Sequence, residues 1–587
     1  MNRKNVDMIT LQVIMNALYS ITDEMNLALI RTAYSTNIKD RRDCSCAIYT
    51  KNLEVISQTE LGCPIHLGIM PSALDYVFQQ MSLDDLDEGD HIIFNVPYPV
   101  GPGHLNDILL LTPVFVNGTI EFIAANMAHH SDLGGYAPGS MASGLREIYQ
   151  EGLQIPPLKI VKKGIVDEEL LSFIVQNVRT STEVRGDLHA QMACNNVGAK
   201  RLKEMCGQYG VASLQNYIEA QFDYSEKRMR EGLKALPHGI YTYEDYIEGT
   251  ERTPPLVKIK VKTIIDNDGI LFDFEGTDPQ VDDSFNSNIA CTRSACYYVV
   301  KVLVDPGLPP NIGTYRPITV KAPYGSVINC KAPAAIANST IITAPKVVDV
   351  LMGALYKAAP ERSAAASNGV TSLFNIGGTD SRGNLYNYIE TYAGGQGAMK
   401  TLDGMDAVQT HMTNTRNAPA EVIEMTYPLM VRSNSLEPDT DGAGRFRGGL
   451  GMRRCIQVLS TKTTLTLSTD RMAKHPWGVY GGMGGGTSHC ILQTPDKVVR
   501  ELAYSKMTLP VDTDTIVTII TPGAGGWGDP FTRDPQKVLK DVREELISIE
   551  RARDCYGVVI RKKDRHYSID EALTDKIRAE HVYEKES

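Results

Sequence analysis

The chain has 587 residues, 42% hydrophobic and 22% charged, proportions of an ordinary globular protein that exclude a disordered or collagen-like chain. At that length one hydrophobic core stops growing, so two to four structural units, some of them interleaved, are expected. Lys and Arg number 59 against 70 Asp and Glu, a net charge of −11, and no Lys/Arg-rich stripe follows a phosphate backbone, so nucleic acid is not an expected partner.

The N-terminus carries no signal-peptide core, and Asp23-Glu24 interrupt the apolar pattern that follows, so no membrane span is expected and the chain is placed in the cytoplasm. From Thr10 to Tyr34 the apolar residues Leu11, Ile14, Leu18, Ile21, Met25, Ala28 and Leu29 recur every three or four positions, the period of an amphipathic helix starting after a Thr cap. Short strands are predicted at Cys46 to Tyr49 and Leu53 to Ser57, and a helix at Pro71 to Met81. Between His91 and Ala125 the pattern is strand, Gly/Pro-rich loop, then two strands, Ile108 to Val116 and Thr119 to Ala125, around Asn117-Gly118. Asn-Gly between two apolar runs is a strong hairpin signal.

Helical spacing resumes from Asp187 to Leu236 and ends at Pro237-His238-Gly239, a cluster of breakers. Strands follow at Leu256 to Ile265 and Ile270 to Phe274, helices at Ala290 to Val304 and Lys346 to Ala358, and strands at Arg453 to Leu459 and Thr463 to Leu467. The fold class is α+β, a multi-unit mixed α/β chain with antiparallel-rich sheets. Its expected units are 1–238, an α/β region carrying the chemistry, 239–440, a central α+β region, and 441–587, a glycine- and strand-rich region with a terminal helix.

Eleven cysteines are scattered, and an odd number does not form a complete set of internal disulfides. Cys44-Ser45-Cys46 has no second Cys pair or nearby His to complete a structural zinc site. The glycine-rich stretches Gly481 to Gly486 and Gly394 to Gly397 lack the Lys-Ser/Thr of a P-loop. Their glycines are expected to permit tight turns or close backbone packing.

Only twelve histidines occur, so their clustering is informative. His104-Leu105-Asn106-Asp107 leaves the Gly/Pro loop, and His129-His130-Ser131-Asp132 ends the second strand of the hairpin. An out-and-back hairpin brings both clusters to one end of a sheet. Imidazole and carboxylate suit zinc, manganese or iron, and three such ligands leave positions open for water or substrate. Adjacent strand residues point to opposite faces, so His129 and His130 do not readily share one ion. Asp132 is placed to orient a ligand imidazole.

These residues lie within a longer series that resembles the hydantoinase B family, the β-type subunits of ATP-dependent hydantoinases, lactamases and 5-oxoprolinase, which is similar to the large subunits of acetone-type carboxylases. The resemblance runs through Arg31-Thr32-Ala33-Tyr34-Ser35, Asp40-Arg41-Arg42-Asp43-Cys44-Ser45, Pro64-Ile65-His66-Leu67-Gly68 and His129 through Met141. It continues through Gln150 to Pro157, Asp273-Phe274-Glu275-Gly276-Thr277, Arg447 to Gly451 and Gly526-Trp527-Gly528-Asp529-Pro530. The family's His-x-x-Asp followed by a second His lands on His104, Asp107 and His129, with Gly103-His104-Leu105-Asn106-Asp107 in place of the common Thr-His-Leu-Pro-Asp.

The resemblance implies a metal-dependent subunit of a cyclic-amide hydrolase, with a divalent ion (Zn, Mn or Fe) on His104, Asp107 and His129, and with Asp107, His130 and Asp132 as catalytic residues. It also implies a hydantoinase A-type partner that uses ATP and Mg to phosphorylate the substrate, in an α2β2 assembly. Ketone carboxylation is the alternative chemistry, and a non-catalytic scaffold for the ATPase the alternative role.

Overall fold

The first apolar period folds as helix α1, Met8–Thr32, in a computed structural model that describes residues 6–586. Its cap is Asp7 rather than Thr10, because the Asp7 carboxylate accepts from both the amide and the hydroxyl of Thr10, satisfying donors at the open helix end. Behind α1 lie β1 (Cys44–Thr50), β2 (Val55–Gln58), β3 (His91–Phe94), β4 (Asp107–Val116), β5 (Thr119–His129), β6 (Leu158–Lys162) and β7 (Ile165–Val166). They form one seven-stranded sheet in the order β2-β1-β5-β4-β3-β6-β7, antiparallel throughout.

The β4–β5 turn is Asn117-Gly118, with φ of 53° and 82°, the two left-handed positions that a type I′ turn demands. β5 does not stop at Ala125. Residues Asn126 to Ala128 continue to pair with β1 on one side, and Asn126 to His129 with β4 on the other. The β4–β5 ladder slips by one residue between Val114 and Phe115, so that Asp107 stands opposite His129. A bulge of this kind moves every residue beyond it to the other face.

Helix α2, His66–Gln80, begins five residues before the expected Pro71 and contains that proline. A proline inside a helix leaves the carbonyl four residues back without its donor. That carbonyl belongs to Leu67, and the Gln58 side-chain amide donates to it. The long helical stretch predicted from Asp187 is two helices, α3 (Ser181–Tyr209) and α4 (Val211–Lys234), separated by Gly210 at φ 76°, a conformation that glycine adopts at little cost.

One sheet face packs Phe122, Ala124 and Ala128 against α1 and α3 through Leu18, Met25, Ala190 and Cys194. The other packs Leu109, Leu111, Ala125 and Met127 against α2 and two further helices. Along α3 the contact is also polar. Gln191 Nε2 donates to Ile108 O and Asn126 Oδ1, Asn126 Nδ2 to Gln191 O and Asn195 Oδ1, and Asn195 Nδ2 to Leu110 O and Thr112 Oγ1.

A second sheet, β8 (Gly239–Glu248), β9 (Leu256–Ile265), β10 (Ile270–Asp273) and β11 (Ile318–Lys321), runs β11-β10-β9-β8. The chain crosses from β10 to its parallel neighbour β11 through α5, Ile289–Val304, and α6, Ala344–Leu355, lies on this sheet. Two more sheets each take strands from both sides of residue 440. β12 (Ser372–Thr379) and β13 (Leu385–Tyr392) join β16 (Thr461–Ser468) and β19 (Lys506–Val511). β14 (Leu429–Leu436) joins β15 (Met452–Val458), β17 (His489–Gln493), β18 (Val499–Glu501) and β20 (Ile516–Ile520). A division at 440/441 therefore runs through both sheets.

Buried charge ties these sheets to the second sheet and to α6. Arg471 bonds Asp245 at 2.7 Å and Asp349 at 2.9 Å, and Asp470 faces Lys346 at 2.8 Å and Lys506 at 3.2 Å. The glycine-rich stretches pack backbone on backbone, since a Cβ at Gly482 would overlap Gly526 O and one at Gly397 would overlap Ala365 O. The terminal helix α7 is Glu571–Glu586. Among the described residues no helix is long and apolar enough to cross a membrane.

Candidate metal centre

Asp107 opens β4 and His129 closes β5, directly across the ladder from each other. Directly opposed residues of an antiparallel pair share a face, with Cβ atoms about 5 Å apart. His104 reaches the same place from the loop before β4. Three carbonyls of that loop, Pro97, Gly101 and Pro102, accept from the Asn288 side-chain amide, and Gly103 lies so close to Thr340 that a Cβ there would clash with its methyl. The three ligand atoms of His104, Asp107 and His129 all lie within 4.8 Å of one another, each on a buried residue.

Both imidazoles are held from behind. His104 Nδ1 donates to Ala337 O at 3.1 Å, leaving Nε2 toward Asp107 Oδ2 at 3.2 Å. His129 Nδ1 stands 3.2 Å from the Asn37 side-chain amide. Such outer contacts fix ring orientation in metal sites. The Ala337 carbonyl is set by Glu151, whose carboxylate accepts from the Ile336 and Ala337 amides.

The charges follow from this packing. Burial lowers His129 to about 4, helped by the neighbouring His104. Burial also pulls His104 down, but Asp107 outweighs it and raises the imidazole to about 9. Asp107 is buried too, yet the His104 cation holds it well below the usual carboxylate range. Burial raises Glu151 to about 8. A proton on His104 thus stands where a cation would balance Asp107. Two imidazoles and a carboxylate, oriented and within ligand distance, are a donor set that fits a divalent transition ion.

The cavity these residues line also exposes Arg41, Asp43 and His66, none of them singled out by chemistry in the sequence. Asp43 immediately precedes β1, gives its carbonyl to the His129 amide and accepts from Cys63 Sγ at 3.2 Å. His66 heads α2 and holds Ser45 Oγ at 2.7 Å through Nδ1. Cys63 and His66 also line a neighbouring cleft bounded by Tyr298 and Lys301, so they form the wall between the two spaces. The signal available was the charged run Asp40 to Asp43 ahead of a buried strand.

His130 and Asp132 are not brought into this cavity. His130, one residue past β5, turns to the other face, where Nε2 meets Gln191 Oε1 at 2.9 Å. Asp132 is occupied by the Gly134, Gly139 and Arg179 amides and by the Arg179 guanidinium, which fold the glycine-rich loop ending at Met141 on the cavity wall. Cys44 and Cys46 both lie near Asn26 Oδ1 under α1, and neither belongs to a group of metal donors among the described residues.

The chain belongs to the hydantoinase B/oxoprolinase family, whose profile matches residues 7–530. It is 40% identical over 578 residues, 98% of this chain and all of the relative, to an uncharacterised protein of Methanocaldococcus jannaschii. It is 31% identical to 5-oxoprolinase 1 of Arabidopsis thaliana over 89% of this chain, a stretch that spans 42% of that longer protein. The crystal structure of the ATP-dependent caprolactamase from Pseudomonas jessenii superposes with a TM-score of 0.90 at 31% identity, over 98% of this chain and 100% of the other.

Proposed function

We propose that this chain is the hydrolytic, metal-dependent subunit of an ATP-dependent cyclic-amide hydrolase of the hydantoinase, lactamase or oxoprolinase type. A hydantoinase A-type partner uses ATP and Mg to phosphorylate the amide oxygen. This chain adds water to the activated carbon, the ring nitrogen leaves as the protonated amine to give an acyl phosphate, and a second water releases inorganic phosphate and the carboxylate. The observation that carries the reading is the pairing of Asp107 with His129 across one hairpin, with His104 beside them in a buried cavity. Relatives named for oxoprolinase and caprolactamase activity support the amide class.

His104, Asp107 and His129 would hold the divalent ion (Zn, Mn or Fe), which supplies Lewis acidity for activating water near neutral pH. Asp43, on the same wall, is placed to accept the proton that water gives up, the role of a general base. The roles expected of His130 and Asp132 become positioning ones. His130 locks the end of β5 to α3, and Asp132 shapes the loop that carries Met141. The assembly is proposed as α2β2 in the cytoplasm.

The test is co-expression with an A-type partner, followed by ATP-dependent ring opening of hydantoin, 5-oxoproline and caprolactam, with and without bicarbonate. Ring opening that disappears in His104→Ala is expected. Carboxylation of a ketone with no amide opened would overturn the reading in favour of the carboxylase chemistry.

A further inference from the structure

Three arginines are among the largest fully buried side chains, Arg41, Arg471 and Arg533. Two are neutralised in place, Arg471 by Asp245 and Asp349 and Arg533 by Asp403 and Asp541. Arg41 is not. Its Nη1 donates to Asn37 Oδ1 and Ile389 O, its Nη2 to Thr391 Oγ1, and its Nε has no partner. No carboxylate among the described residues pairs with it.

A buried charge without a counter-charge is costly, and this one lines the same cavity as the three metal donors. Thr371 and Thr391 line that cavity as well. A planar guanidinium fork with hydroxyls beside it matches the oxygens of a phosphoryl group.

We propose that Arg41, with the hydroxyls of Thr371 and Thr391, is the receptor for the phosphoryl group of the activated substrate, held across the cavity from His104, Asp107 and His129. The inference rests on the proposed activity and adds to it the residues that receive the phosphoryl group.

The probe is inorganic phosphate titrated into the Mn-loaded full chain, followed by calorimetry and by phosphorus NMR, in which a nearby manganese broadens the phosphorus line. Wild-type protein is expected to bind phosphate with strong broadening, and to lose the broadening when the manganese is removed. Arg41→Lys keeps the charge but loses the fork, and should weaken phosphate at least about tenfold while Mn affinity and melting temperature hold. Equal phosphate affinity in wild type and Arg41→Lys, binding without broadening, or acetate bound as tightly as phosphate each overturns the proposal. Because this readout needs no amide, a complex that opens rings but binds no phosphate sinks the receptor alone. One that binds phosphate but opens no ring sinks the proposed activity and leaves the anion site standing.

Discussion

Metal loading should expel a proton, and Asp107 should decide whether it does. In the metal-free protein His104 titrates at about 9, so at pH 7 nearly every molecule carries its proton, while His129, at about 4, carries none. An incoming ion needs a neutral imidazole and must displace the His104 proton. Two pH units at about 1.4 kcal/mol each put that cost near 3 kcal/mol, roughly a hundredfold in apparent affinity at pH 7. Affinity should therefore rise about tenfold per pH unit toward 9 and flatten beyond it, with about one proton released per ion at pH 7. In Asp107→Asn the burial of His104 acts without its counterweight, the imidazole falls below its ordinary value, and proton release at pH 7 should drop close to zero even as affinity weakens. Calorimetric titration with Mn(II) in two buffers of different ionisation enthalpy measures the protons directly. A wild-type protein that binds the ion without releasing a proton, or an Asn variant that releases as many, would refute the assignment of the raised imidazole to the Asp107 pair.

Glu151 titrates at about 8 in the fold against 4.5 unfolded, so between those values the unfolded chain binds fewer protons and stability falls as pH rises. Glu151→Gln, which keeps an acceptor for the Ile336 and Ala337 amides, should match wild type near about pH 5 and exceed it in melting temperature near about pH 9; a difference that ignores pH counts against it. Arg471→Ala strands Asp245 and Asp349 and should cost about 3–5 kcal/mol in urea unfolding, most of it recovered when both aspartates become Asn and Arg471 becomes Met. Gly135→Ala places a Cβ against Glu151 O at φ 75° and should cost about 2 kcal/mol or more; a neutral melt would mean the loop relaxes freely.

The hairpin and its two chemical clusters were legible in the sequence because Asn117-Gly118 fixes a turn from local chemistry alone. The choice between His129 and His130 was not legible from residue spacing and came only from the family resemblance. A regular ladder from that turn would set Ala128 opposite Asp107 and put His130 on the Asp107 face. The one-residue slip between Val114 and Phe115 reverses this, and nothing in the local residue types announces it. Asp43 and Arg41 were hidden for a different reason. They reach the cavity only because β1 docks beside β5, pairing Cys44 with Ala128, a contact between residues far apart in the chain. The exchange of strands across residue 440 is of the same kind, since β12, which the residue pattern did not pick out, pairs with β16 through residues as far apart as Leu373 and Ser468. The Pro71 signal misled in the other direction, because the side chain of Gln58 supplies what the proline removes.

The amide contacts between α3 and the hairpin have a consequence for the precision of the whole centre. An apolar helix on an apolar sheet has many nearly equivalent seatings, differing by fractions of a turn. Here Gln191, Asn195 and Asn126 exchange six hydrogen bonds with the strands and one another, and sliding the helix by one step would leave most of them unmet at about 1–3 kcal/mol apiece. The helix is thereby indexed to the two strands that carry Asp107 and His129, much as a scale is indexed to its slide. Replacing the three amides together with leucines of similar bulk would keep the interface buried yet remove the index. The expected signature is doubling of backbone resonances along β4 and β5 in a protein that still melts cooperatively.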